Sequence, residues 1–531
     1  MKRFFAIISA GAAFAVFAAE ATYRNPVIWA DVPDTALCSD GTNVYMVSTT
    51  MHLQPGAPVM KSSDMIHWKT VSYVFDEIAD GPRYELEDGR TTYGQGQWAA
   101  SLRFHAGKFW VWFNCNGEPN KGFLYVADKA EGPWRLHSRP GGWHDSSLFF
   151  DDDGRVYMFY GTGELVELTS DLTGEKPDGF RRQIPVRDDE ECGLLEGSFA
   201  FKKDGWYYLM MISMVYDAPG RIRRQVCYRA RSLAGDWEKK VVLEVPFETW
   251  GGLGQGQIVQ CPDGKWRGLI FQDRGGVGRV PCLMDVFWRD GWPMLGAEDG
   301  RSIPNDTAKP YPDLSGIVGS DDFGAKSLSL YWQWNHRPIK DAWSLRKRSG
   351  WLRLSTRTTA PNLMLARNTL TQRMTGPECE GVVKLDVSGL RDGDRAGIAA
   401  FQSLSGILMV ECDARSKRLV MCTEDMILAD DRVIERVDSI EKQSVEIKGN
   451  IVYLRVQADF RAGRDVAKFS WSTNGKDWRE IGEEVPLYFD WTRFFMGTKF
   501  ALFCYSTKTP GGHADFDFFK YSSTGHEKDK R

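Results

Sequence analysis

The sequence lacks the residue patterns of several large functional classes. Its ten cysteines contain no Cys-x-x-Cys pair and its eight histidines form no cluster, so nothing points to a zinc site. The cysteines also form no dense disulfide framework, and we expect most of them to be buried free thiols. The formal net charge of -4 over 531 residues does not suit a nucleic-acid surface. A nucleic-acid partner is therefore not predicted. No apolar run is followed by a stop-transfer pattern, so membrane insertion is not predicted either.

The amino-terminal residues predict an exported protein. Lys2 and Arg3 precede an uncharged stretch over residues 4–19, which ends in the small-residue pattern Ala19-Glu20-Ala21. This is the pattern of a secretory signal peptide over residues 1–21. We therefore expect a mature protein that is secreted or periplasmic. Nothing in the sequence predicts an oligomeric state.

Aromatic residues and glycine are abundant: the chain has 20 Trp, 18 Tyr, 30 Phe and 53 Gly. Short aromatic strands separated by glycine turns are typical of an all-β protein. Most of these rings are expected in the core. Some of the tryptophans also suit sugar binding.

An internal repeat predicts the architecture of the first half of the chain. A short apolar strand, a glycine turn and an aromatic strand recur five times, and the turn glycines are Gly41, Gly107, Gly154, Gly205 and Gly264. Their spacings of 66, 47, 51 and 59 residues each allow a four-stranded blade. We therefore predict a five-bladed β-propeller over residues 22–303.

The second half of the chain predicts a different β-structure. A Pro/Asp-rich stretch over residues 304–320 is typical of a linker. From residue 321 to 522 the sequence alternates apolar and polar residues without strong helical periodicity, which favours a β-sandwich. The polar tail at residues 523–531 is expected to be disordered.

Three acidic residues share one position in the repeat. Counting nine residues back from the turn glycines gives Trp98, Asp145, Glu196 and Gln255, and Asp34 lies seven residues before the first of them. The innermost strands of a propeller surround its axis, so these side chains are expected to converge on one pocket. Paired carboxylates there supply the acid and base of glycoside hydrolysis. A single Asp before a strand is more often a turn residue, and a structural metal cage is an alternative for the set.

Ordered motifs along the chain carry a family resemblance. They include Asn25-Pro26-Val27-Ile28, Val32-Pro33-Asp34, Gly96-Gln97-Trp98-Ala99, His144-Asp145-Ser146-Ser147-Leu148, Leu195-Glu196-Gly197 and Gly278-Arg279. In this order they resemble glycoside hydrolase family 43. The second half, with Trp332-Gln333-Trp334-Asn335-His336, resembles the β-sandwich of β-xylosidase-type members, which implies a concanavalin A-like jelly roll.

The resemblance implies a role for each matching residue. Asp34 corresponds to the general base, Glu196 to the general acid, and Asp145 to the residue that orients the acid and modulates its pKa. Trp98 is then expected in the sugar subsite and Arg279 on substrate hydroxyls, and Gln255 belongs to the same pocket. The family inverts anomeric configuration, which implies base and acid carboxyls about 6.5–9.5 Å apart.

The sequence also departs from the family pattern. The usual Pro-Asp-Pro-Ser reads Pro33-Asp34-Thr35-Ala36 and the usual Trp-Ala-Pro reads Trp98-Ala99-Ala100, which leaves the carboxylates intact. A histidine common in the fifth-blade loop is not found beside Gln255, so no central metal and no required cofactor are expected. His52 lies where relatives place residues that contact the terminal sugar, and it is a candidate for substrate binding.

The sandwich has a second candidate site. Asp321 or Asp322 near its start and Asp515 or Asp517 near its end could supply oxygen ligands for a structural Ca²⁺. Acidic residues at strand ends are more often simply solvated.

The predicted activity is release of terminal β-D-xylosyl or α-L-arabinofuranosyl units from xylan or arabinoxylan oligosaccharides, so an oligosaccharide or polysaccharide is the expected partner. The sequence does not separate the two sugars. One alternative is a non-catalytic carbohydrate-binding propeller, although such a protein would not need all three acids. Another is a retaining furanosidase of invertase type, whose Trp-x-Asn-Asp-Pro-Asn opening the chain lacks and whose carboxyls lie about 5–5.5 Å apart.

Overall fold

The structure is a computed structural model that describes residues 23–118, 121–215, 222–414 and 416–527. Over these ranges it contains 36 β-strands and four short 3-10 turns, and no α-helix. None of its described segments is a helix of the length and apolarity needed to span a bilayer. The predicted signal peptide at residues 1–21 lies outside the described residues.

Five antiparallel four-stranded sheets form the first half of the chain, and the prediction of a five-bladed propeller is confirmed. Blade 1 contains β1 (Ala36–Ser39), β2 (Val44–Val47), β4 (Gly56–Ser62) and β5 (Lys69–Phe75), and blade 2 contains β6 (Gly96–His105), β7 (Lys108–Asn116), β8 (Gly122–Ala127) and β9 (Arg135–Ser138). Blade 3 contains β10 (Ser147–Phe150), β11 (Val156–Tyr160), β12 (Glu164–Leu168) and β13 (Arg181–Gln183). Blade 4 contains β14 (Leu194–Lys203), β15 (Trp206–Val215), β16 (Ile222–Ala230) and β17 (Glu238–Leu243), and blade 5 contains β18 (Gly256–Gln260), β19 (Trp266–Asp273), β20 (Arg279–Arg289) and β21 (Trp292–Leu295).

The glycines of the repeat determine where each blade turns. All five lie in the hairpin between the first and second strands of their blade, with φ between 73° and 87°. Glycine adopts this left-handed backbone without the steric cost of a Cβ atom. The first strands β1, β6, β10, β14 and β18 contact one another in a ring, so they are the innermost strands around the axis.

Hydrogen bonds between the first and last blades close the ring. The Thr35 hydroxyl donates to the Leu269 carbonyl at 2.9 Å, and the Gln257 side-chain oxygen accepts from the Leu37 amide at 2.9 Å. Residues 25–32 extend beside β20 and add further bonds to it. The closure therefore fixes the start of β1, where Asp34 lies.

One half-buried arginine joins three blades near the axis. The Arg103 guanidinium, carried by β6, donates to the Leu148 carbonyl at 2.6 Å and to the Ser147 hydroxyl at 2.6 Å in blade 3. It also donates to the Ala200 carbonyl of blade 4 at 3.1 Å. Since each bond crosses between innermost strands, Arg103 holds the blades that carry Asp145 and Glu196 in register.

Two large sheets form the second half of the chain. The first has the order β3-β22-β25-β35-β27-β28-β29-β30. Its strands are β3 (Leu53–Gln54), β22 (Gln333–Asn335), β25 (Leu370–Arg373), β27 (Asp394–Phe401), β28 (Leu404–Asp413), β29 (Ser416–Leu428), β30 (Ile434–Glu446) and β35 (Lys499–Ser506). The second has the order β23-β24-β36-β26-β31-β32-β33, with β34 paired to β32. Its strands are β23 (Trp343–Ser344), β24 (Leu352–Ser355), β26 (Glu378–Asp386), β31 (Ile451–Asp459), β32 (Val466–Ser472), β33 (Arg479–Glu480), β34 (Val485–Pro486) and β36 (His513–Ser523).

The inner faces of these two sheets enclose the largest apolar cluster, as expected for a sandwich. The four 3-10 turns are Glu87–Gly89, Gly275–Val277, Lys340–Ala342 and Leu363–Leu365. All ten cysteines are unpaired and nine of them are buried, Cys192 being the exposed one.

The propeller and the sandwich share a sheet. Strand β3 belongs to blade 1 by sequence, yet it pairs with β22 of the sandwich through Gln54 opposite Trp334 and Leu53 opposite Asn335. An apolar cluster that combines residues of both domains surrounds this pairing. The sandwich is therefore fixed against the propeller face that carries the predicted acids.

The segment predicted as a linker and the predicted tail are both attached to the fold. Leu314, Ile317 and Val318 of the 304–320 segment are buried against blade 1. Strand β36 includes Ser523, and the backbone of residues 525–527 is hydrogen bonded to Tyr311. The expectation of disorder from residue 523 is therefore corrected for residues 523–527, because these backbone groups find partners in the 304–320 segment. Residues 528–531 lie outside the described residues.

Candidate active site

Residues from all five blades line one small cavity on the propeller axis. They include Asp34 from blade 1, Ala99 from blade 2, Asp145 from blade 3, Gly197 from blade 4 and Gln255 from blade 5. Each occupies the repeat position that the sequence singled out, or the position next to it. Side chains far apart in the chain are thus gathered around one hollow because the architecture repeats.

Asp34 is a buried carboxylate with two strong partners. It lies in the turn before β1, with 9% of its surface exposed. The Thr49 hydroxyl donates to its Oδ2 at 2.6 Å, and Nη1 of Arg279 lies 3.1 Å from Oδ1 and 3.4 Å from Oδ2. A charged donor and a hydroxyl together hold the carboxylate in one orientation.

Strained backbone occurs at the acidic positions. Asp34 and Asp145 have φ of 54° and 45°, a left-handed conformation that costs about 1–3 kcal/mol for a residue with a Cβ. Gly197, directly after Glu196, has φ of 72°, and a Cβ there would lie 2.7 Å from Cδ of Gln255. Such strain is typical of active sites.

Glu196, Asp145 and His144 form a compact group beside the cavity, which Asp145 lines. Oε2 of Glu196 lies 3.3 Å from Nε2 of His144, which in turn lies 3.8 Å from Oδ1 of Asp145. Asp145 is buried, whereas the Glu196 side chain is 29% exposed and the His144 side chain 43% exposed. Glu196 is therefore accessible to a bound ligand, whereas Asp145 is covered.

The charges of this group shift its titrations in opposite directions. The pKa of Asp145 is raised to about 7, mainly by burial and also by the Glu196 and Asp34 carboxylates, against the opposing charges of His144 and Arg279. The pKa of His144 is raised to about 9, mainly by the hydrogen bond to Glu196 and also by the Asp145, Glu196 and Asp34 charges, while partial burial opposes the rise. At neutral pH His144 is therefore a cation beside Asp145, whose carboxyl group is only partly ionised.

Replacing His144 by Gln is expected to move the step of the kcat/KM profile that follows ionisation of Asp145 to higher pH, by about 1 unit. The imidazolium lowers the pKa of Asp145, so its removal lets the carboxyl group keep its proton to higher pH. The measurement is kcat/KM between pH 4 and 10 on a nitrophenyl glycoside. The control is His105→Gln, an exposed histidine at the far end of β6, which should leave the profile unchanged. A shift toward lower pH in His144→Gln would contradict the assignment.

Aromatic rings from the sandwich complete the pocket. The Arg279 guanidinium lies 4.6 Å from the ring centroid of Phe495 and 5.7 Å from that of Phe489. The Phe495 ring also lies 5.5 Å from Trp98, which in turn lies 5.8 Å from His144. Trp98 therefore lies between His144 and a ring of the second domain, which covers this side of the acidic group.

Sequence reasoning missed three residues of this site. His144 precedes Asp145 directly, so its proximity to the acids could have been noticed. Phe489 and Phe495 lie about 200 residues beyond the propeller and no local pattern distinguishes them. Arg279, predicted on substrate hydroxyls, pairs with Asp34.

His52 does not lie at the cavity. Its ring is fully buried, stacks on His336 at 4.6 Å and meets the edges of Tyr93 and Phe494. Burial lowers the pKa of His52 to about 3, with a smaller contribution from the Lys499 charge. The interpretation of His52 as a substrate contact is corrected: the sandwich covers the loop that carries it, and the imidazole is part of the domain interface.

The acidic residues proposed for calcium do not fit that ion. The Asp515 carboxylate accepts from Arg353 at 2.7 and 2.8 Å and from Arg348 at 3.1 Å, so two cations already neutralise it. Asp322 is exposed and accepts from the Gly324 amide within its own turn. Calcium needs six to eight oxygen ligands. Among the described residues, neither aspartate belongs to a cluster of metal-ligating side chains.

Comparison with known proteins agrees with this geometry. Residues 23–293 match the family model described as glycosyl hydrolases family 43. The chain belongs to this family. Residues 320–522 match the beta xylosidase C-terminal concanavalin A-like domain. The family 43 assignment confirms the prediction of a glycoside hydrolase and speaks against the alternative of a non-catalytic sugar-binding propeller. The expectation that no cofactor is required fits this family.

Individual family 43 relatives are similar over much of the chain. A beta-xylosidase of Formosa agariphila is 28% identical over 95% of this chain and 91% of its own length. The non-reducing end alpha-L-arabinofuranosidase BoGH43B of Bacteroides ovatus is 30% identical over 63% of this chain and 65% of its own. A solved structure of a bifunctional GH43-CE protein of Bacteroides eggerthii superposes with a TM-score of 0.85 at 38% identity. It covers 94% of this chain, which spans 64% of the length of that one.

Proposed function

We propose that this enzyme removes single β-D-xylosyl or α-L-arabinofuranosyl units from the ends of xylan or arabinoxylan fragments, with inversion of anomeric configuration. The observation that carries the proposal is the gathering of three acids on the propeller axis. Asp34 and Asp145 line the axial cavity, and Glu196 lies beside Asp145 through His144. Phe495 of the sandwich covers one side of this group, against Trp98 and Arg279. A pocket closed on one side accepts a chain end more readily than a chain interior. Both sugars are supported by relatives, one a beta-xylosidase and the other an arabinofuranosidase.

In the proposed reaction two carboxyl groups act from different blades. Glu196 gives its proton to the glycosidic oxygen while the bond between this oxygen and the anomeric carbon breaks. A water molecule forms the new bond from the opposite face of the sugar ring and loses its proton to Asp34. Asp145 and His144 set the charge around Glu196, and Arg279 and Thr49 hold the Asp34 carboxylate in place. Export of the protein, to the periplasm or beyond, is part of the proposal and would place it where these polysaccharide fragments occur.

The proposal is tested by comparing the nitrophenyl glycosides of β-xylose and α-arabinofuranose. The wild-type enzyme should hydrolyse at least one of them, and the ratio of the two kcat/KM values names the preferred sugar. Proton magnetic resonance of the first product formed should show the opposite anomer to the substrate, before mutarotation. No turnover of either glycoside would overturn the proposed substrates. A retained anomer would overturn inversion and favour the retaining furanosidase mechanism.

A further inference from the structure

Trp491 is exposed to an unusual degree. With 72% of its surface accessible it exceeds the other exposed large hydrophobic residues of the described chain, of which Ile440 at 55% comes next. It lies in the segment between β34 and β35, which we call the rim loop and define as residues 488–495. A large apolar ring held in water is informative when its position is fixed and close to a functional site.

The rim loop is fixed by hydrogen bonds on both sides of Trp491. The Asp490 carboxylate accepts from the Ser403 hydroxyl at 2.6 Å and from the backbone and side chain of Thr492. It also pairs with Arg493, which reaches Asp425 on β29 at 2.8 Å. The tryptophan is therefore presented by an ordered turn, so that a ligand does not have to order the backbone when it binds.

The rim loop borders the catalytic pocket. Phe489 and Phe495, both within it, lie against the guanidinium of Arg279, which holds the base Asp34. Two residues of extended chain span at most about 7 Å, so the Cα atom of Trp491 lies no farther than this from that of Phe489. The exposed ring is therefore carried by backbone that lies next to the phenylalanine rings flanking Arg279.

We propose that Trp491 forms a binding subsite for the sugar chain on the leaving-group side of the scissile bond. This rests on the proposed function, because a chain whose terminal sugar lies between Asp34 and Glu196 must continue past the loops that surround them. The face of an indole offers a broad, rigid contact for the C–H groups of a sugar ring. The loop charges of Asp490 and Arg493 are paired with each other, which suits an uncharged polysaccharide better than an ionic ligand.

The test compares substrates with and without a sugar chain beyond the scissile bond. In Trp491→Ala, kcat/KM on the preferred nitrophenyl glycoside should stay within about twofold of wild type, as for a surface substitution. On arabinoxylan oligosaccharides of six backbone units it should fall about tenfold, mainly through KM. Trp491→Phe, which keeps an aromatic face, should recover most of the loss. The control Phe287→Ala removes a 37% exposed ring from β20 of blade 5 and should change neither substrate.

Direct binding separates this proposal from the proposed function. Calorimetry with xylohexaose on Glu196→Gln, and on the same variant with Trp491→Ala added, should give a dissociation constant about tenfold higher in the double variant. This result stands whichever terminal sugar the enzyme releases. Equal affinity in the two variants, or equal losses on the nitrophenyl and oligosaccharide substrates, would overturn the subsite. Failure of wild type on both nitrophenyl glycosides, with the binding difference intact, would instead overturn the proposed function alone.

Discussion

Replacing Glu196 by Gln is expected to lower kcat on oligosaccharides by about a thousandfold, within the range that a general acid contributes. A sugar leaving group departs as an alcohol and needs a proton, which the amide does not supply. A nitrophenolate departs without one, so the loss on a nitrophenyl glycoside should be far smaller. Measuring kcat on both substrates therefore isolates the acid step from substrate binding.

The matched control for this variant is Glu238→Gln. That residue begins β17, the outermost strand of the same blade, and its side chain is 56% exposed beside Arg229. Its substitution should leave both rates within about twofold of wild type, as expected for surface changes. If Glu196→Gln retained full activity on oligosaccharides, the assignment of Glu196 as the acid would be wrong.

Replacing Asp34 by Asn is expected to lower kcat by about a thousandfold on both kinds of substrate, because water must be activated whichever group departs. It should also destabilise the fold by about 3 kcal/mol, since the Arg279 guanidinium is 5% exposed and loses its ionic partner. Turnover of the nitrophenyl glycoside and urea unfolding monitored by tryptophan fluorescence measure the two effects. Added azide should restore rate by attacking the anomeric carbon without a base, giving a glycosyl azide of inverted configuration.

Two further variants serve as controls for this prediction. Asp76→Asn changes an exposed aspartate of the same domain and should alter neither rate nor stability. Adding Arg279→Met to Asp34→Asn removes the unpaired charge, and part of the lost stability should return. Undiminished turnover in Asp34→Asn would refute its role as base, and unchanged unfolding would show that the ion pair contributes little.

What could be predicted from the sequence depended on how far apart the interacting residues lie. The turn glycines and the acids seven or nine residues before them can be recognised from short stretches of sequence. Because the blades repeat around one axis, these sequence positions also predict where the residues lie in three dimensions. Gly107 and Asp145 thus indicated both the blades and the pocket. No local signal connects Phe495 with Trp98, because this contact depends on how the two domains dock. The same docking buries His52. The propeller sequence alone predicts an exposed loop at this position.

The partners in ion pairs could not be identified from the sequence either. Asp515 is an acidic residue in a strand, which suits a metal ligand or a solvated edge equally well. Its partners Arg348 and Arg353 lie more than 160 residues earlier in the chain. Asp34 could be assigned from the repeat, whereas its partner Arg279 comes from the opposite end of the propeller, 245 residues away. Electrostatic environments of this kind follow from topology, which the repeat specifies only within the propeller.

The pairing of β3 with β22 limits how this protein can be divided. A chain cut after the fifth blade would leave Leu53 and Gln54 without strand partners and would expose the apolar surface around Met51 and Tyr93 to water. An unpaired strand with an apolar face promotes association between molecules. The two halves are thus not interchangeable modules, and grafting the sandwich onto another propeller would require transferring the β3 loop along with it.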